Sequence, residues 1–182
     1  MGDISNPASA LLIVAVTSRH EAALDWSRKT AEAAWGACAL QSPAFLFSET
    51  DYYEATMGTG LCKQFLAFER LIDPAGLAAV KRQTNVWEAE YAGEAGHAEP
   101  RPLNLDPGYI TLGKLVLAST KNHVHRIYLS DGIYAEITLY YKDKRWWHRE
   151  WTYPDYRRDD YQKFFSGCRD FLKSKLAKEP PA

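Results

Sequence analysis

Three cysteines in 182 residues, at positions 38, 62 and 168, are too few, odd in number and too far apart for a disulfide framework. They read as reduced thiols at core positions in a cytoplasmic chain. Long hydrophobic runs are also missing. Leu11 to Val16 is too short for a membrane span or a signal-peptide core, and no basic stretch precedes it. It reads as a buried strand. Neither charge dominates, with 22 Lys and Arg against 23 Asp and Glu, which argues against a general nucleic-acid coat. No Gly-x-Ser-x-Gly, His-Glu-x-x-His, paired Cys-x-x-Cys or Gly-x-Gly-x-x-Gly occurs, so covalent catalysis and a Rossmann dinucleotide site find no support. Internal repeats and low-complexity tracts are absent too.

What the chain does have is an uneven spread of charge and many rings. Residues 1–100 carry 7 Lys and Arg against 13 Asp and Glu, whereas residues 101–182 carry 15 against 10. The basic surplus of the second part would meet either an anionic ligand or the acidic first part. Trp, Tyr and Phe number 6, 11 and 7, enough for some to line a cleft.

The length fits one domain over residues 1–182, with an α/β half at about 10–91 and a strand-rich half at about 100–178. The expected class is α/β (α+β): a mixed, largely antiparallel sheet with helices packed against it. "LLIVAVTS" is apolar throughout, as in a strand covered on both faces. Ser18 and Glu21 read as a capping box opening a helix that stops at Gly36. "PAFLF" reads as the second strand, with a parallel pairing to the first, and "SETDYYEATMGTG" as a loop long enough to fold over a site. Leu61, Phe65, Phe68 and Ile72 fall at helical spacing, so a helix is expected there. Asp73 and Pro74 open the next helix as N-cap and first helical residue, and "GEAGHAEP" reads as a loop. A short strand at "RPLNL", an Asp106-Pro107-Gly108 turn, an ambiguous "KLVLAST", a hairpin and "RWWHREW" follow. A helix from about Asp159 closes the fold, and "KEPPA" reads as a frayed tail.

The hairpin, "STKNHVHRIYLSDGIYAEITLYY", is entered through His123 and His125. A two-residue turn at Asp131-Gly132 would place both histidines on a face with Glu136. A three-residue loop at Ser130-Asp131-Gly132 would set Arg126 opposite Glu136 and move the histidines to the face of Ile127, Leu129, Ile133, Ala135, Ile137 and Leu139. The second register separates polar from apolar residues cleanly and is preferred on burial grounds. A metal at His123 and His125 would then need a third ligand such as Asp106 or His148.

"GYITLGKL" matches most of a phosphate loop, but a leucine replaces the magnesium-binding hydroxyl and hairpin signals follow, so a packing turn fits better. Arg101, Asn104 and Asp106 share a short segment in which Asn104 and Asp106 point the same way. Lys114, Lys121, Arg126 and Arg149 would form an anion clamp if the fold brings them together. "RWWHREWTYPDYRR" interleaves tryptophans with arginines; it reads either as a strand with one row of rings packed inward or as a surface for single-stranded RNA or a protein.

In "TDYYEATMGTGL", "FERLIDPAGLAAVKRQTN", "RPLNLDPGYITLGKLVLASTK", "HRIYLSDGIYAEITLYY" and "WTYPDYR" the chain resembles a bacterial family catalogued as domain of unknown function 4416. The resemblance spans roughly residues 10–170. It implies a shared fold unit and a shared site without naming a reaction, and it draws attention to Tyr52, Tyr53 and Glu54, to Arg101–Tyr109, Lys121–Arg126, Glu136 and Thr152–Tyr156. The family pattern implies an acidic residue just before Met-Gly, where this chain has Thr56.

The functional expectation is therefore a cytoplasmic protein whose polar, aromatic-lined pocket binds a small anionic ligand, phosphorylated or nucleotide-like. Tyr52, Tyr53, Arg101, Asn104, Lys121, His123, His125, Arg126 and Arg149 would contact the ligand. Asp106, Glu136 and Asp155 would orient it or act as acid and base if the protein is an enzyme. No cofactor is assigned, nor any metal ligand in this reading, and no membrane partner is expected. The alternatives are a metal-dependent hydrolase using His123 and His125, and an RNA- or protein-binding module using residues 145–158.

Overall fold

The computed structural model describes residues 2–178, so all of "KEPPA" but its first residue lies outside the described part. Nine strands form one sheet among the described residues, and every pairing is antiparallel. The expected α+β class is what the chain adopts, but the parallel N-terminal pair is not. The first strand, β1 (Ala10–Ser18), lies between β4 (Cys62–Ile72) and β5 (Asn104–Ile110), and all nine of its residues are buried. Its lack of polar alternation follows from having both faces covered.

The helix α1 (Glu21–Trp35) ends at Gly36, whose φ of 93° suits only glycine. Ser18 does not cap it. The Ser18 hydroxyl donates to Pro102 O at 2.7 Å and accepts from the His20 amide, so it serves the end of β1 and not the helix. Two short strands, β2 (Cys38–Gln41) and β3 (Phe45–Leu46), then border β4. Sequence reading missed β2. It also took β4 for a helix, because an eleven-residue strand covered on both sides puts Phe65 and Ala67 in one core layer and Leu66 and Phe68 in the other. Apolar residues then occur at almost every spacing, helical spacing included.

Between β3 and β4 the chain makes a loop with a four-residue helix, α2 (Glu54–Met57), where the Thr56 hydroxyl donates to Tyr53 O. Asp73 caps a 3-10 turn at Pro74–Gly76 by accepting from Ala75 N at 2.9 Å, and α3 (Leu77–Glu94) follows. The loop after it thus begins later than "GEAGHAEP". On one side of the sheet α1 and α3 cover Leu12, Val14, Val16, Leu66, Phe68 and Leu105. On the other, α4 (Asp159–Leu176) lays Tyr161, Phe165, Cys168 and Leu172 over Leu11, Ile13, Ala15, Phe65 and Ile110. Each fully buried large apolar side chain contributes about 1.5–3 kcal/mol, which is why the two layers dominate the fold.

The Asp106-Pro107-Gly108 segment is not a turn. All three residues lie inside β5, paired with β1 through Ala15, Val14 and Ile13. On its other edge β5 meets β6 (Lys114–Ser119) only from Gly108 to Ile110, opposite Leu115 to Leu117. Pro107 sits just past that ladder, where no amide is asked of it. Gly108 stands at the vertex: a Cβ there would lie 2.2 Å from Val116 O and 2.7 Å from Leu117 Cδ2. The glycine is needed for close approach of two strands, not for a positive dihedral. Beyond it, Asn104–Pro107 and Ala118–Ser119 lack each other as partners, and the sheet forks.

The hairpin joins β7 (Ile127–Ser130) and β8 (Ile133–Lys142), and β9 (Arg145–His148) adds to β8. Asp131 and Gly132 have φ of 51° and 77°, as a two-residue turn requires, and a bulge between Tyr128 and Ser130 then restores the pairing of Ile127 with Ala135. Each expected register is therefore half met. The two-residue turn forms, and Arg126 nevertheless meets Glu136. The expected apolar face forms only in part, with Ile133, Ala135 and Leu139 buried. As the edge strand, β7 leaves Ile127 and Leu129 exposed, and Ile137 of β8 is exposed too, while Glu136 and Thr138 are buried.

Candidate active site: a charged cavity in the fork

The fork opens a cavity of about 410 Å³, the size of a small-molecule pocket. The end of β5 gives it Asn104 and Asp106, and the end of β6 gives Ser119 and the following Lys121. Lys81 and Asn85 enter from α3, on the far side of the sheet, through the gap between the strands. Lys63 comes from β4, Glu136 from β8, and Arg126 from the segment before β7. The loop carrying Phe47, Tyr52 and Tyr53 and the stretch holding Tyr153 and Tyr156 form the remaining walls.

Four ion pairs border the cavity. Lys63 Nζ donates to Asp155 Oδ2 at 2.5 Å, with both side chains buried, and Phe47 and Tyr156 present their rings to the ammonium. Lys81 Nζ donates to Leu105 O at 2.7 Å and reaches Asp106 Oδ1 at 3.3 Å. Arg101 Nη2 donates to Glu88 Oε2 at 3.0 Å and also to Asn104 Oδ1. Arg126 donates from Nε to Glu136 Oε2 at 2.8 Å, from Nη1 to Ser119 Oγ and Lys121 O, and from Nη2 to Tyr153 OH. Lys121 is the remaining lining cation; its ammonium donates to Tyr52 OH at 2.7 Å and lies over that ring, with no carboxylate partner among the described residues.

These neighbours set the protonation states. Burial pushes the Asp106 carboxyl up, but the Lys81 and Lys63 charges and the bonds from Asn104 and Lys81 outweigh it and hold the group below its usual range. Asp106 thus stays ionised with 31% of its side chain open. Burial raises Glu88, only partly offset by Lys81, Arg101 and the Leu105 amide. Burial also raises the phenols of Tyr53, Tyr153 and Tyr156, which remain protonated donors. The Lys121 bond lowers Tyr52. Among the described residues the buried Tyr156 hydroxyl has no partner in the protein.

Of the residues expected from sequence, Tyr52, Tyr53, Arg101, Asn104, Asp106, Lys121, His123, Arg126 and Glu136 lie together around this hollow. His125 stands behind the wall, its Nε2 3.0 Å from Glu136 Oε2 and its ring stacked on Trp151. Asp155 is 3% exposed, lies outside the cavity lining and is the counter-ion of Lys63. Arg149 does not join; its guanidinium lies over the Tyr140 ring, and Lys114 is exposed where β6 begins, at the opposite end from the fork. Sequence reading missed Lys63, Lys81, Asn85 and Glu88, whereas Tyr153 and Tyr156 belong to the Thr152–Tyr156 stretch marked by the family resemblance.

The metal reading at residues 123 and 125 loses its third ligand. Among the described residues neither histidine belongs to a group of three candidate ligand atoms within 4.8 Å, and His125 is committed to Glu136. The tryptophan-arginine tract divides as well: Trp146 is buried, Arg145 covers Trp147, Arg157 donates to Thr152 O and Glu150 O, and Arg158 pairs with Glu49 and Asp160. These arginines have contacts within the fold, while Arg145 and Arg157 are also exposed. No helix among the described residues is long and apolar enough to cross a membrane.

No curated protein and no solved structure matches the chain. A family model described as Domain of unknown function (DUF4416) matches residues 8–171, well over half of its length, and the chain belongs to that family.

Proposed function

We propose that the forked cavity binds a small anionic ligand, phosphorylated or nucleotide-like. The observation that carries this reading is the charge count at the walls. Four cations are matched one to one by Asp155, Asp106, Glu88 and Glu136, and Lys121 remains over. A ligand phosphate at Lys121 would gain a charge-assisted hydrogen bond without breaking an ion pair. Phenols kept protonated by burial would donate to further oxygens, and Asn85 and Asn104 supply amides beside the rings of Tyr52 and Tyr53. If the cavity also runs a reaction, Asp106 is the carboxylate in position for it. Held ionised between two lysines, it suits the grip of a ligand hydroxyl better than general-base work.

Calorimetric titration at low ionic strength with nucleoside monophosphates, nucleoside diphosphates and sugar phosphates, beside their neutral parents, tests this. Saturable binding of a phosphorylated member is expected, with none for its parent, and a loss of about tenfold or more in Lys121→Ala. Flat titrations across the series, or binding indifferent to Lys121→Ala, would overturn it.

A further inference from the structure

Away from the cavity, the residue before α1 meets the loop after α3. His20 comes from the first, His97 and Glu99 from the second. One candidate ligand atom from each of the three lies within 4.8 Å of the others, and among the described residues no other three His, Cys, Asp or Glu side chains come so close. We propose that His20, His97 and Glu99 bind one divalent transition-metal ion, zinc by the class of their donors. The site is separate from the cavity and does not depend on what the cavity binds.

The geometry is near what the ion needs. Zinc takes imidazole nitrogen and carboxylate oxygen at about 2.0–2.2 Å in a tetrahedron, whose ligand-to-ligand edges are then about 3.3–3.6 Å. His20 Nε2 and Glu99 Oε2 already stand 3.1 Å apart. The two imidazole rings stack with centroids 3.8 Å apart and planes 17° from parallel, so ion binding requires one ring to turn and bring its in-plane lone pair onto the ion held by the other. Both imidazoles are partly open to solvent, which leaves a route for the ion and room for water as fourth ligand.

The surroundings orient the donors. Arg19 Nη1 donates to Glu99 Oε1 at 3.1 Å, which leaves Oε2 for the ion and holds the carboxylate in one rotamer. Tyr91 OH lies 3.0 Å from His97 Nε2 and fixes that ring. Two nitrogens with one oxygen are a poor match for calcium or magnesium, which ask for oxygen cages. The ion would tie the loop after α3 to the start of α1. The same loop runs on to Arg101 at the cavity wall.

The test uses the full chain, stripped with chelator and titrated with zinc by calorimetry, with cobalt(II) as a spectroscopic substitute. Expected are one equivalent of zinc per chain, a rise in melting temperature, and the visible absorption of tetrahedral cobalt. Affinity should fall about tenfold or more in His97→Ala and in Glu99→Gln, with far-UV circular dichroism unchanged, and should persist in Cys38→Ser and Cys62→Ser. Glu99→Gln keeps the side chain's shape and covers the case in which His97→Ala fails to fold. No saturable zinc binding by the folded parent, or binding that survives Glu99→Gln and vanishes with a cysteine, would overturn the assignment.

Discussion

Replacing Arg126 with methionine is the most direct trial of the charged interior. The Arg126 and Glu136 side chains are 2% and 1% exposed, so neither keeps a useful share of solvent. Removing one partner of such a pair costs about 3–5 kcal/mol, because the other charge stays buried without compensation. Here Glu136 retains His125 at 3.0 Å and Thr138 at 3.2 Å, which argues for the lower part of that range. A domain holds only about 5–15 kcal/mol in all, so the loss would be plain in a urea transition followed by tryptophan fluorescence. The double variant Arg126→Met with Glu136→Leu removes both charges and should recover most of the loss. Ser119 Oγ, Lys121 O and Tyr153 OH would each lose a donor, but these residues line the cavity, where water can replace it. A single-variant cost below about 1 kcal/mol would class the pair with solvated surface bridges. A double variant whose loss equals the sum of the singles would deny coupling between the two residues, and either result refutes the reasoning.

Three further outcomes follow from the backbone geometry and the charges. Gly108→Ala should cost about 3 kcal/mol, the upper end for overpacking, because the added methyl meets a backbone oxygen at 2.2 Å that cannot rotate away; a midpoint in urea within error of the parent would reject the fork vertex. Gly36→Ala should cost about 1–3 kcal/mol, since φ 93° with ψ 179° is a region open essentially to glycine alone, and the thermal midpoint reads it. Asp106 has its folded carboxyl below the ordinary 3.8, so its contribution is fully present above that value and is lost as pH falls through the folded one. Stability measured from about pH 5 down to about pH 3 should therefore fall more steeply in the parent than in Asp106→Asn, and equal slopes would contradict the lysine-held carboxylate.

Much of the scaffold was legible because local chemistry and tertiary context agree. An apolar run with no polar break marks β1, Asp73 with Pro74 marks the entry to α3, and the stripe from Tyr161 to Leu172 marks α4. The failures occur where context overrides the local signal. Ser18 and Glu21 spell a capping box, but the serine is taken by Pro102 O, eighty-four residues away. Pro107 and Gly108 spell a turn, yet they occupy a central strand because the sheet parts beside them. A turn and a fork ask for the same two residues for different reasons. The turn uses a fixed φ and a free one, and the fork uses a missing amide and a missing Cβ. Spacing along the chain does not distinguish these.

The site was half legible, for a reason visible in Lys63 and Lys81. Polar residues clustered in loops and hairpins, such as Arg101, Asn104, Asp106, Lys121 and Arg126, attract notice because nothing else explains them. Lys63 and Lys81 hide in segments that look like ordinary core. Lys63 is the lone charge at the head of "LCKQFLAF", and Lys81 continues the buried stripe of Leu77, Ala78, Thr84, Trp87 and Tyr91. Their position is itself a signal. An ammonium on a covered strand or on the inward stripe of a helix would lose its hydration unless the fold supplies a carboxylate, carbonyl or ligand to receive it. Such a lysine predicts an internal acceptor even when the acceptor cannot be named. Here the acceptors are Asp155, Leu105 O and Asp106, and the two ammonium groups reach the same hollow from opposite faces of the sheet. That convergence requires a gap between strands, so the two lysines and the fork at Gly108 are one structural fact expressed at three distant points in the chain.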